Sequence, residues 1–235
     1  MSTLPPFLFF DLDDTLLDYS ASGRQCWQEL FLEYAPHFGV SVEQLSTAHQ
    51  QVSAWYWSDE ERNRLGRLDL RAARRQVLKL VLAKLGIDHP ALGDKMAEAF
   101  TLRRERLFKP FPGTIETLKE LQRRGIRMGL LTNGNSEFQR RKIRRFDLAR
   151  YFEIIIIEGE FGVGKPNQRV FLSALEHFGA LPTQAWMIGD DLVRDLRPAW
   201  QLGLDTVWMD IENGGLPADS PFVPMLTIHC VTDLI

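Results

Sequence analysis

Near the start of this chain an apolar run, Phe7-Leu8-Phe9-Phe10, leads straight into Asp11-Leu12-Asp13-Asp14-Thr15-Leu16-Leu17. Asp11, Asp13 and Thr15 stand two residues apart. A strand interior excludes an ionised carboxylate, because burying it unpaired is costly. The C-terminal end of a strand is different, since ligands of open α/β sheets bind just outside those ends. Acids there suit a cation site, a nucleophile or both. Further apolar runs also end in polar groups. Met128-Gly129-Leu130-Leu131 ends in Thr132-Asn133-Gly134, a hydroxyl and exposed amides suited to an anion, with Gly134 allowing close approach. Ile154-Ile155-Ile156-Ile157 is followed by Gly162-Val163-Gly164-Lys165-Pro166, which puts Lys165 just ahead of a helix. Trp186-Met187-Ile188 ends in Gly189-Asp190-Asp191, with Asp195 beyond. All these groups fall at one edge of a predicted sheet, and that convergence argues for a single site.

The elements that must position them follow from periodicity. After the first strand, about Asp18 to Phe108 reads as helix after helix, with Trp27, Leu30, Phe31 and Tyr34 at helical spacing and Val77, Leu78, Val81, Leu82 and Leu85 after them. From Pro112-Gly113-Thr114 the pattern alternates. A helix runs to Arg124 and Gly125 ends it. Strands are expected over Ile126–Thr132, Glu153–Glu158, Ala185–Gly189 and Thr206–Met209, with a short last one over Thr227–Val231. Helices are expected over Glu137–Phe146, Asn167–Phe178 and Arg194–Leu202. Such alternation implies an α/β fold, a parallel sheet wrapped on both faces. The predicted organisation is a Rossmann-like three-layer core over residues 1–17 and 109–235, with a small all-helical cap, residues 18–108, inserted after the first strand.

The order of motifs resembles that of the haloacid dehalogenase-like superfamily, most of whose members are phosphatases. Asp-x-Asp-x-Thr at Asp11, Asp13 and Thr15 is similar to its first motif, Thr132-Asn133-Gly134 to its second, Lys165 in a Gly-Lys-Pro setting to its third, and Gly189-Asp190-Asp191 through Asp195 to its fourth. In detail the chain resembles the branch of small-molecule phosphatases that includes pyrimidine nucleotidases. The resemblance implies a phosphomonoester hydrolase. Asp11 would be the nucleophile, forming an aspartyl-phosphate. Asp13 would protonate the leaving oxygen and then deprotonate the attacking water. The Asp11 carboxylate, the Asp13 carbonyl and Asp190 would hold magnesium. Thr132 and the Asn133 amide would bind phosphoryl oxygens, and Lys165 would balance charge on Asp11 and the phosphoryl group. Asp191, Asp195 and Thr15 would stand behind the ligands, with the aspartates orienting Lys165 or metal-bound water. Asp191 reads equally as a cap for the next helix. Asp14 reads as a turn or cap residue.

The rivals differ by residue. A haloacid dehalogenase needs neither the second aspartate nor a metal, so Asp13 and Asp190 speak against it. A phosphomutase passes the same phosphoryl group to a sugar, and a non-catalytic binding protein would have no use for the acids. Gly159 to Lys165 has the spacing of a nucleotide-triphosphate loop, but Pro166 stands where a magnesium-binding hydroxyl is required. Arg140-Arg141-Lys142-Ile143-Arg144-Arg145 reads as a solvated helix face with Ile143 inward. Trp55-Tyr56-Trp57 reads as packing in the cap core or at the subdomain interface, with the lining of a substrate pocket as the alternative. The five histidines show no metal-ligand spacing.

Composition bounds the rest. The chain has 235 residues, 45% hydrophobic and 25% charged, with a net charge of −3, so no basic field favours nucleic acid or anionic membrane. No apolar stretch approaches the roughly 20 residues of a membrane helix. Cys26 and Cys230 lie far apart, and reduced thiols are expected. Met1–Pro6 lacks a basic n-region, and Asp11 interrupts the apolar stretch too early for a signal peptide. The expectation is a cytoplasmic enzyme whose partner is a small phosphomonoester, with nucleoside monophosphates first and sugar phosphates next.

Overall fold

A computed structural model of the chain describes residues 4–235, and the first three residues of the predicted core segment lie outside it. The strands are β1 (Phe7–Phe10), β2 (Arg127–Thr132), β3 (Ile154–Ile157), β4 (Ala185–Gly189), β5 (Asp205–Met209) and β6 (Leu226–Ile228). They form one sheet of order β3-β2-β1-β4-β5-β6, parallel at every pairing. Side chains alternate between its faces. Leu8, Phe10, Leu130 and Ile188 enter one core, while Phe9, Leu131 and Met187 enter the other. Both faces are covered, as an all-parallel sheet requires. Leu118 and Leu121 of α6 (Thr114–Arg123) and Ile143 of α7 (Ser136–Arg145) cover the first. Phe171, Ala174 and Phe178 of α9 (Gln168–Phe178) and Ala199 of α10 (Arg197–Gln201) cover the second. The fold is therefore the three-layer, Rossmann-like α/β arrangement.

The strand order sets where a ligand site falls. β1 is central, with β2 on one side and β4 on the other, so the chain changes direction of progress beside β1. Loops leaving adjacent strands there go to opposite faces and leave a crevice at the carboxyl edge. Phe10 pairs with both Leu130 and Ile188, so Asp11 emerges level with the ends of β2 and β4.

Boundaries shifted where local chemistry intervened. The isoleucine strand stops at Ile157, and Glu158 opens the one-turn helix α8 (Glu158–Phe161), where its carboxylate is buried. After β4 a π-helical turn over Leu192–Leu196 precedes α10, earlier than the predicted start at Arg194. The last strand is Leu226–Ile228, and Val231–Leu234 turns into a 3-10 helix instead.

The chain divides into two compact units, one of residues 1–18 and 109–235 and one of Tyr19–Phe108. The second contains α1 (Ser20–Phe38), α2 (Val42–Ser58), α3 (Glu60–Leu68), α4 (Leu70–Lys84) and α5 (Pro90–Leu107). Its start signals are legible. Ser41 and Gln44 form a reciprocal capping box at α2, and Asp59 and Asp69 cap α3 and α4. Its core joins Leu30, Phe31, Leu45, Leu78, Val81 and Phe100. Among the described residues no helix is long and apolar enough to cross a membrane, and both cysteines are free thiols.

His49 lies against Trp27, ring centroids 4.2 Å apart, and burial pushes it down to about 4 from 6.5. Below pH 6.5 the unfolded chain then takes up a proton that the folded chain refuses. Stability of this helical unit is expected to be full above that value and to fall as pH drops toward about 4. Thermal melts across the window should show a steeper loss for the parent than for His49→Gln. Equal slopes would refute the assignment to His49.

Candidate active site

The Asp11–Leu17 segment is held by its leucines and its backbone. Leu12, Leu16 and Leu17 are fully buried, and the amides of Leu16 and Leu17 both donate to the Leu12 carbonyl at 3.0 Å. Asp14 sits at φ 60°, a left-handed turn position that aspartate tolerates. The turn hands Asp11 and Asp13 to the sheet edge. Thr15 is wholly buried, and its hydroxyl has no hydrogen-bond partner.

Asp11 meets Lys165 and Asp195 below it. Lys165 Nζ donates to Asp11 Oδ1 at 2.5 Å and to Asp195 Oδ1 at 2.7 Å, and all three residues are buried. The approach of Asp195 depends on Gly189, because a Cβ there would lie 2.3 Å from Asp195 Oδ2. Lys165 reaches this point because Asn133 grips its backbone. Asn133 Nδ2 donates to the Lys165 carbonyl at 2.7 Å, and the Lys165 amide donates to Asn133 Oδ1 at 2.8 Å. The second and third sequence motifs are thus joined through one side chain.

Asp11, Asp190 and Asp195 each offer an oxygen within 4.8 Å of the others. Burial, then the neighbouring Asp11 and Asp195, push Asp190 up to about 9. Among the described residues no donor reaches its carboxylate. Burial pushes Asp11 up to about 8, against the pull of Lys165 and with Asp195 and Asp13 adding to the rise. Asp195 is raised too, by burial first, with Lys165 opposing. For Lys165, burial favours the neutral form, but Asp11 and Asp195 outweigh it and hold the ammonium charged. Three carboxylates therefore face one ammonium. The donors are hard oxygens with excess negative charge, which fits a small divalent cation and would reverse the upward shifts.

Asp191 turns elsewhere. Its Oδ1 accepts from the amides of Val193 and Arg194 at 2.9 Å and its Oδ2 from Arg194 Nη1 at 2.7 Å, so the side chain serves as the cap. Its backbone touches the cluster, the amide donating to Asp195 Oδ2 at 3.4 Å and the carbonyl accepting from the Asp195 amide at 2.9 Å. Gly134 also departs from expectation. Its amide donates to the buried Glu158 Oε2 at 2.9 Å, so that anion-binding position is filled by the chain's own carboxylate.

The largest correction falls on the basic helix. Lys142 was expected on a solvated face, but it is 1% exposed. Its Nζ lies 2.6 Å from both oxygens of Asp13. Gln139, one turn earlier on α7, donates to Asp13 Oδ2 at 3.0 Å, to Thr132 Oγ1 at 2.6 Å and to the Asn133 carbonyl at 2.9 Å. Gln139 and Lys142, three apart, share one helix face. Their spacing with Ile143 was a signal in the sequence, masked by the arginines on either side. Trp55, expected in packing, is 55% exposed beneath the Arg62 guanidinium, 4.0 Å from its ring centroid.

The family model of the haloacid dehalogenase-like hydrolases matches residues 7–203. The chain is 37% identical over 155 residues to a phosphoserine phosphatase of Thermus thermophilus, covering 66% of this chain and 61% of that protein. It is 29% identical to the pyrimidine 5'-nucleotidase YjjG of Escherichia coli, covering 97% and 95%. Among solved structures, the magnesium-bound hydrolase YfnB of Bacillus subtilis superposes with a TM-score of 0.76 at 21% identity, covering 99% and 97%.

Proposed function

The chain belongs to the haloacid dehalogenase-like hydrolase family and is a phosphatase, and from that premise we propose that it hydrolyses a small phosphomonoester through an aspartyl-phosphate on Asp11, with magnesium. The observation that carries this reading is the meeting of Asp11, Asp190 and Asp195, the first and last of them paired with Lys165, at the switch point of the sheet. The Asp11 and Asp190 carboxylates, with the Asp13 carbonyl, would hold the ion. Its chemistry there is to offset the charge of a phosphate dianion that has to approach several carboxylates.

The chain's own groups divide the work. Asp11 has one oxygen bound to Lys165, which leaves the other to attack phosphorus. As the phosphorus–leaving-oxygen bond breaks, Asp13 gives that oxygen a proton. Asp13 then takes a proton from water, whose oxygen attacks the phosphoryl group and returns Asp11 to a free carboxylate. Lys142 and Gln139 hold Asp13 for both transfers. Thr132 Oγ1 and the Asn133 amide serve phosphoryl oxygens, and Lys165 balances the charge that grows on them. Asp195 keeps Lys165 in place through its 2.7 Å contact. The helical unit Tyr19–Phe108 serves as a cap, where specificity resides. The near full-length likeness to a pyrimidine nucleotidase favours a nucleoside monophosphate as substrate, ahead of sugar phosphates.

The Asp13–Lys142 pair and the open Asp190 carboxylate favour this reading over haloacid dehalogenation, which has no task for either. Hydrolysis of a generic aryl phosphate is expected to vanish with EDTA and to return with magnesium. No halide should be released from a 2-haloacid, and a sugar acceptor should not divert the phosphoryl group from water. Full turnover by the metal-stripped protein, or halide release at a comparable rate, would overturn the proposal.

A further inference from the structure

We propose that the helical unit binds a small organic carboxylate with a flat, apolar body, in a cavity of about 270 Å³ among its own helices. The proposal is independent of the phosphatase reading, because every lining residue falls between Tyr19 and Arg104. The walls are aromatic, formed by Tyr19, Trp27, Trp57 and Phe100. Trp27 and Phe100 are stacked with centroids 4.1 Å apart and planes within 22°. Into this apolar space come two guanidinium groups, those of Arg74 and Arg104.

Neither arginine meets an acid. Arg74 is 7% exposed, and its Nη1 donates to Thr101 Oγ1 at 2.9 Å, while Nη2 is buried with no hydrogen-bond partner. Arg104 Nη2 donates to the Tyr19 carbonyl at 2.7 Å, while its Nε is buried with no partner. Among the described residues no carboxylate pairs with either, and none lines the cavity. Both cations lie over rings, Arg104 at 3.4 Å from the Tyr19 centroid and Arg74 at 4.9 Å from that of Phe100. Ring faces attract a cation but accept its N–H groups only weakly. Burial pulls Arg74 below its usual range, the Tyr19 side chain opposes that pull, and Arg104 adds to it. Unpaired buried charge is retained at a cost, and an anionic ligand removes it.

The donors define the anion. Two planar guanidinium groups on one aromatic wall, with no acid beside them, suit the two oxygens of a carboxylate. Burial keeps His49 neutral near pH 7, so it adds no third cation. The aromatic walls with Val77 and Leu70 select a flat apolar body for the rest of the molecule.

The full-length protein can be titrated with benzoate and with its neutral isostere benzamide, followed by calorimetry and by the fluorescence of Trp27 and Trp57. Benzoate is expected to saturate the signal and to bind at least about tenfold tighter than benzamide, as a charge-assisted pair would require. Arg74→Met and Arg104→Met should each weaken benzoate by about tenfold or more. Ser53→Leu, which fills the cavity and keeps both arginines, should abolish binding, with circular dichroism confirming the fold. Hydrolysis of an aryl phosphate by the same variants reports separately on the core unit. Benzoate binding no tighter than benzamide, displacement of benzoate by equal inorganic phosphate, or parent affinity in folded Ser53→Leu would each overturn the proposal.

Discussion

Asp11→Asn is expected to lose at least about 10⁴ in turnover, the scale seen when a nucleophile is removed from a catalytic unit that acts together. An amide oxygen is a poor nucleophile and a weak ligand for a divalent ion. The protein should nonetheless remain folded. Asp11 is buried and pushed up to about 8, so a neutral group in its place relieves repulsion from Asp195 and Asp13. Lys165 keeps its 2.7 Å partner in Asp195. In metal-free buffer the melting temperature of Asp11→Asn should therefore match or exceed that of the parent. Mass spectrometry of the rapidly quenched parent should place the phosphoryl group on the peptide containing Asp11. Steady turnover by the folded variant, or a phosphoryl group on another peptide, would remove the covalent mechanism.

Asp13→Asn is expected to lower kcat by about 10² to 10⁴, the range of general acid–base catalysis. With a good leaving group the first step needs less protonation, so phosphoenzyme should accumulate. Lys142 gives this prediction a second arm. It is a buried cation paired with Asp13, so removing Asp13 takes its carboxylate away, a loss of up to about 3–5 kcal/mol. Lys142→Met should lower kcat with little change in KM, because its effect passes through the orientation of Asp13. In the Asp13→Asn background the same change should cost no further activity and should restore part of the lost stability. Additive losses of activity in the double variant would show that Lys142 acts on something other than Asp13.

Much of the sheet edge was legible because it is local. Apolar runs ending in acids, hydroxyls and a lysine recur at strand ends, and a parallel sheet sends every such end to the same side. Asp11, Asp190, Asp195 and Lys165 were singled out by type and position, and they do meet. The strand and helix order was equally readable, since periods of two and of three to four are written along the chain. Element ends were less so. Glu158 looked like the close of a strand, yet it turns inward because the Gly134 amide, 24 residues earlier, needs an acceptor.

What the sequence by itself determined is the fold class, the direction of the strands and the set of groups at the carboxyl edge. Those follow from hydrophobic period and from the rule that acids leave the strand interior. Only the tertiary structure decided which partner each group takes. Lys142 and the arginines beside it are alike by type, and helical phase alone does not say which basic side chain finds a carboxylate 129 residues away. Asp191 and Asp195 are likewise two aspartates on one turn, and the close approach at Gly189 assigns Asp195 to Lys165 while Asp191 caps the helix. Arg74 and Arg104 lie 30 positions apart on different helices, and their shared cavity without an acid exists only once those helices pack. The reason is the same in each case. Pairing energies depend on distance and burial, and both are set by packing between segments remote in sequence.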